Sequence, residues 1–176
     1  MPEPDLRYPI GKFQRDDSPS PENNRRHIAE IEAAPAQLRR AVAGLAPAQL
    51  DTPYRPEGWT VRQTVHHLAD SHMNAYVRFK LALTEDAPTI KPYAEALWAQ
   101  TADNQEPVET SLALLEALHH RWSKLLHSMK ESDYTRTLVH PDNGVVPLHV
   151  QLSLYSWHGR HHTAHITALR ERNGWK

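Results

Sequence analysis

The stretch Thr60–Leu83 reads TVRQTVHHLADSHMNAYVRFKLAL. Val61, Val65, Leu68, His72, Tyr76, Phe79 and Leu83 recur in it at steps of three and four, which puts them on one side of an α-helix. Thr60 with Gln63 three residues on is a capping-box pair, in which each side chain bonds the other residue's backbone N–H. A long amphipathic helix is predicted here, and such a helix must bury its apolar stripe against other elements.

Three further stretches supply those elements. A first helix is predicted over about Glu22–Ala43, on Ile28, Ile31, Leu38 and Val42. Pro35 falls inside it, and an interior proline costs about 3 kcal/mol, so a break or bend near Ala34 is expected. Gly44 ends this helix, and Pro47–Leu50 reads as one extra turn. A third helix spans about Val108–Met129, on Leu112, Leu115, Leu118, Trp122, Leu125 and Met129. The fourth runs from about Pro147 to Arg172, on Leu148, Leu152, Tyr155, His162, Ile166 and Leu169. The fold class is therefore all-α, a four-helix bundle, in which cofactor sites form from side chains on facing helices.

The domain is taken as residues 22–176, preceded by an extended N-terminal arm over residues 1–21 that holds Pro2, Pro4, Pro9, Pro19 and Pro21. Tyr8, Pro9, Ile10 and Phe13 are apolar enough to lie along the bundle. The loops are long. Residues 84–106 contain Pro88 and Pro92, with a helical turn expected around Tyr93–Trp98. Asp142-Asn143-Gly144 suggests a tight turn and a short hairpin before the last helix.

Composition narrows the function. The 176 residues carry a formal net charge of −1, with 23% charged and 39% hydrophobic residues, so nothing argues for a nucleic-acid or membrane-surface partner. No apolar run approaches the roughly 18 residues needed to span a bilayer. Met1-Pro2-Glu3-Pro4-Asp5 has neither the basic nor the apolar region of a signal peptide, and a cytoplasmic location is expected. There is no cysteine, but there are 13 histidines, so any transition-metal site must use imidazole and carboxylate.

The histidines concentrate in Trp157-His158-Gly159-Arg160-His161-His162-Thr163-Ala164-His165-Ile166. His158/His162 and His161/His165 each have the four-residue spacing that stacks two imidazoles on one helix face, within reach of a single ion. The apolar stripe places His162 inward and His158 at its edge, with His161 turned further out and His165 between. The inward pair is His158/His162. On the second helix, His66, His67 and His72 compete for a third position, and periodicity leans towards His72 because it lies on the stripe. A helix in a bundle touches two neighbours, so a flanking position remains open.

The runs Tyr54-Arg55-Pro56-Glu57-Gly58-Trp59-Thr60-Val61-Arg62-Gln63 and His66–Asn74 resemble the YfiT family within the DinB-like superfamily. So do Tyr8–Phe13 and Trp157–His162. The resemblance spans nearly the whole chain. It implies a four-helix bundle, commonly a homodimer, with one divalent metal per chain held by three histidines. Carried onto this sequence, the ligands are His67, before Leu68-Ala69-Asp70, and His158 and His162. On the last helix this agrees with the wheel, and on the second it overrules His72. Zinc is the expected metal, with nickel as the alternative.

Three imidazoles leave a coordination position open, as in catalytic zinc sites. One enzyme class is hydrolysis by a metal-activated water. Gly159 stands where the His-Glu-x-x-His proteases carry their glutamate base, so another carboxylate must serve, and Asp70 is the nearest in sequence. The plainer reading of Asp70 is a partner that orients a ligand imidazole, or a solvated helix position. The other class is transfer of a low-molecular-weight thiol, such as bacillithiol, to an electrophilic small molecule, an activity the resemblance favours. A non-catalytic metal-binding bundle is the third reading. Asn74 and Arg78, further along the His67 side, are candidates to meet a polar cosubstrate. Arg160 reads as a surface residue, Trp59 and Trp157 as packing anchors, and His119, His120 and His127 as exposed.

Overall fold

The computed structural model describes residues 5–15 and 19–176. Pro2 and Pro4 of the expected arm lie outside the described residues. Four long helices form the body: α1 (Pro21–Val42), α3 (Val61–Thr84), α5 (Val108–Ser128) and α6 (Leu148–Arg172). Between them come the short helices α2 (Pro47–Leu50) and α4 (Glu95–Trp98). The Thr60 hydroxyl accepts from the Gln63 N–H while the Gln63 side-chain oxygen accepts from the Thr60 N–H, which sets the start of α3 as the sequence predicts. Ser20 caps α1 in the same sense by accepting from the Asn23 N–H.

The expected break in α1 does not occur. The helix passes through buried Pro35 without interruption. The backbone bond that a proline removes is the one to the carbonyl four residues earlier, that of Ile31, and a side chain from another helix takes its place. The expected hairpin is present: β1 (Thr137–His140) pairs antiparallel with β2 (Gly144–Pro147). Gly144 turns the chain between them at φ 71°, a conformation that suits glycine.

α1 and α3 lie diagonally, each packed against both α5 and α6. Two apolar cores fill the bundle. One gathers Ile31, Phe79, Trp122, Leu126, Leu148 and Leu152, and includes the inward residues Leu138 and Val146 of the hairpin. The other gathers Leu38, Val61, Val65, Leu112, Leu115 and Ile166. On every long helix the two sets are separated in sequence, and the gap on α3, α5 and α6 is filled by histidine. Among the described residues no helix is long and apolar enough to cross a membrane.

On α5 the inward face differs from the expected stripe. His119 and Leu126 are buried, whereas Leu118 is only partly covered and Leu125 packs at the margin. His119 is 2% exposed, which corrects the expectation that it faces solvent. His120 and His127 are exposed as expected.

Candidate metal centre

The layer between the cores brings His67 of α3 together with His158 and His162 of α6. One nitrogen from each lies within 4.8 Å of the others. The Nε2 atoms of His67 and His158 are 3.4 Å apart. Two nitrogens each about 2.05 Å from a tetrahedral ion stand about 3.3 Å apart, so the spacing fits a metal of zinc's size. Burial holds the His67 imidazole down to about 4 and those of His158 and His162 well below the ordinary histidine value. At neutral pH all three are uncharged and keep a lone pair to give. The donor set fits a divalent cation.

His67, not His72, is the α3 histidine that clusters with His158 and His162. The indole of Trp59 covers His67 at 4.5 Å between ring centroids, so the loop before α3 closes that side. His72 lies behind the cluster. Its Nε2 is 3.2 Å from Nδ1 of His158, and its Nδ1 is 2.8 Å from Nε2 of His119. Periodicity places His72 inward correctly, but inward on α3 points towards α5. His66 is buried as well and is satisfied locally, by the Ser111 hydroxyl and the Glu106 carbonyl.

His161 and His165 of α6 are buried from the other side. His161 stacks on Trp157 at 4.3 Å and faces Tyr8 of the arm. His165 stacks on Tyr54 at 3.9 Å and donates from Nε2 to the Arg7 carbonyl. Phe13 meets Trp157, so the described part of the arm lies along α6 as its apolar residues suggest. Hydropathy of α6 alone gives no sign of this cover. His161, His162 and His165 form a second group with one nitrogen each inside the same 4.8 Å limit.

A cavity of about 370 Å³ opens beside His162, lined by Tyr54, Arg55, Trp59, Glu95, His161 and His165 among others. Glu95 brings the 84–106 segment to its edge. The hairpin lines no part of it and is committed to the apolar core at the bundle end. Arg55 Nε and the Nδ1 atoms of His161, His162 and His165 are buried there with no hydrogen-bond partner among the described residues.

The remaining candidates are less direct. Asp70 is half-buried, and burial first and the charge of Asp103 second raise its carboxyl to about 6. Among the described residues its carboxylate bonds none of the three histidines, and the side chain that does bond His158 from behind is His72. The Asn74 amide turns back onto the Asp70 carbonyl at 2.9 Å. Arg78 reaches the Tyr155 hydroxyl at 3.5 Å, and Tyr155 packs against His158. Arg160 lies at the surface beside Glu30, 3.4 Å away.

The sequence profile described as the DinB superfamily matches residues 30–166. The chain belongs to the DinB superfamily. A protein of Bacillus mycoides (strain KBAB4) named "putative metal-dependent hydrolase" is 54% identical over 97% of this chain and 99% of its own. A like-named protein of Bacillus cereus (strain AH820) is 55% identical over the same shares. Among solved structures, YfiT from Bacillus subtilis, described as having an unusual four-helix bundle topology, superposes with a TM-score of 0.94. It is 48% identical over 97% of this chain and 99% of that one. A mycothiol-dependent maleylpyruvate isomerase shares the DinB fold at a TM-score of 0.65 and 17% identity, over 84% of this chain and 60% of that one. Both the bundle and the family expected from the sequence are thereby established.

Proposed function

We propose that the protein is a metal-dependent enzyme that joins a low-molecular-weight thiol to an electrophilic small molecule. The observation that carries the reading is the convergence of three uncharged imidazoles, His67, His158 and His162, with no carboxylate among them, beside a small polar cavity. A divalent ion held there, zinc expected and nickel the alternative, supplies Lewis acidity that lowers the pKa of a thiol or water at its open position.

The chain's own residues do the rest. His67 and His158 set the ligand spacing, and Trp59 shields His67 from water. In the transfer the thiol gives up its proton, a carbon–sulfur bond forms, and the bond from carbon to the leaving group breaks. Asp70, about one helical turn from His67 on α3 and with its carboxyl raised to about 6, is the candidate to take that proton. Arg78, through Tyr155, and the unpartnered Arg55 Nε beside His162 are the groups to meet a polar cosubstrate. Asn74 is left to its own helix.

Hydrolysis is the second reading, favoured by the name its relatives carry. It asks more of the chain, because a water attack needs a base and then an acid. Position 159 offers neither: a Cβ there would already lie 3.3 Å from that of Ala34. The test is a metal-replete assay with a panel of small thiols against a chloronitrobenzene or a bimane. Thiol-dependent loss of the electrophile is expected. Background rates with every thiol, together with turnover of an ester or amide, would identify a hydrolase instead; neither activity leaves a metal-binding bundle. A homodimer is part of the same proposal, and light scattering on the purified protein checks it.

A further inference from the structure

Pro35 sits within α1 and has no backbone N–H. In an uninterrupted helix the N–H of residue 35 would bond the Ile31 carbonyl. Here that acceptor is taken by His119 Nδ1 on α5, at 2.7 Å. A carbonyl only accepts, so His119 Nδ1 carries the proton. A neutral imidazole carries one proton, so His119 Nε2 has a bare lone pair. That nitrogen faces His72 Nδ1 at 2.8 Å, which must then donate, leaving His72 Nε2 bare. His72 Nε2 faces His158 Nδ1 at 3.2 Å, which must donate in turn. The nitrogen left bare at the end is His158 Nε2, the one 3.4 Å from His67.

Each link lies on a different helix: Ile31 on α1, His119 on α5, His72 on α3 and His158 on α6. The protonation pattern is dictated from one end, because only the Ile31 carbonyl has a fixed role. We infer that Pro35 frees this carbonyl so that His119 and His72 lock His158 in the tautomer whose Nε2 lone pair faces His67. His72 and His119 are positioning residues, and their importance for metal rests on the three-histidine reading above. Without this chain of bonds His158 has two tautomers, and one of them turns an N–H towards the ligand position.

Long-range proton–nitrogen NMR on metal-free, nitrogen-15-labelled protein above pH 7 reads the tautomers directly. His119, His72 and His158 are expected with the proton on Nδ1. A proton on Nε2 of either His72 or His158 overturns the inference. Zinc affinity, measured by competition with a chromophoric chelator, gives the second readout. His72→Phe is expected to weaken binding about 10- to 100-fold. His72→Gln should recover part of that, since its side-chain oxygen can accept from His158 Nδ1. Pro35→Ala returns a helical donor to Ile31, so it should raise the melting temperature and yet weaken zinc binding several-fold. Unchanged affinity in both Pro35→Ala and His72→Phe overturns the inference. Expected tautomers in a protein that binds neither zinc nor nickel sustain it and overturn the metal reading instead.

Discussion

The Nε2 atoms of His67 and His158 face one another at 3.4 Å across the contact between α3 and α6. Neither is charged at neutral pH, because burial keeps both imidazoles far below their ordinary range. This pair is most of a chelate before any ion arrives. Purified protein is expected to hold one divalent metal per chain. His67→Ala or His162→Ala should empty the site under dialysis, because two imidazoles and solvent bind far more weakly than three. His72→Ala should lower the affinity but keep the stoichiometry. Elemental analysis decides it, and the reverse pattern between His67→Ala and His72→Ala would assign the ligand to His72.

Chelation should lower the melting temperature without unfolding the chain. Each apolar core gathers buried side chains from all four long helices, unlike the interior of a zinc finger. Metal at 100 times its dissociation constant adds about 2.7 kcal/mol, a part of typical domain stability and not the whole. Circular dichroism with and without chelator checks this. Loss of the helical signal at room temperature would show the metal to be structural.

Acid should destabilise the metal-free protein over a defined window. Burial lowers His67 and His119 to about 4 in the folded state, against 6.5 for an unperturbed histidine. Between those values the unfolded chain binds protons that the folded chain refuses, so stability falls as pH falls from about 6.5 to about 4. Each of these two buried groups contributes on the order of 3 kcal/mol at most. Asp70, raised to about 6, acts in the opposite sense over part of the range, but it is one half-buried group against several histidines. Urea midpoints at pH 7.5, 6 and 5 should fall in that order. A flat profile would mean the histidines are solvated in the folded state.

Much of this is legible in the residues. The four helices, the Thr60–Gln63 cap and the hairpin turn all follow from local pattern, because each is set by chemistry within a few residues. The pair His158/His162 follows from spacing on a single helix. What escapes is decided between helices. His67 and His72 both face inward on α3, one towards α6 and the other towards α5, and the wheel of α3 does not know which neighbour is where. His119 is misplaced by hydropathy, which counts imidazole as polar, whereas here a carbonyl on α1 satisfies it. Pro35 reads as a flaw because its cost is local and its compensation comes from α5. Pattern turns His161 outward and leaves His165 between, and the arm and the Tyr54 loop that cover them are distant in sequence.

Gly159→Ala tests the close approach of α1 and α6. The added Cβ would lie 3.3 Å from the Ala34 Cβ and 3.5 Å from His72 Cε1. Alanine in place of glycine favours a helix by up to about 1 kcal/mol, while crowding a packed interior costs about 1–3 kcal/mol. The balance is a lower melting temperature, and a larger loss for Gly159→Leu. A gain in stability for Gly159→Ala would mean that the two helices separate freely at this level.

The arrangement of two apolar cores with a polar layer between them also divides labour along the bundle. Each core gathers side chains from all four long helices, on either side of that layer. Side chains in the middle layer pack on the cores as well, as the His72 and His119 rings do on Trp122, so a change of chemistry there has to keep the ring's volume. A scaffold of this kind can exchange one set of donors for another while its frame persists. For protein engineers the middle layer is the place to install a new ligand set, and Pro35 marks where the wiring behind it would be redrawn.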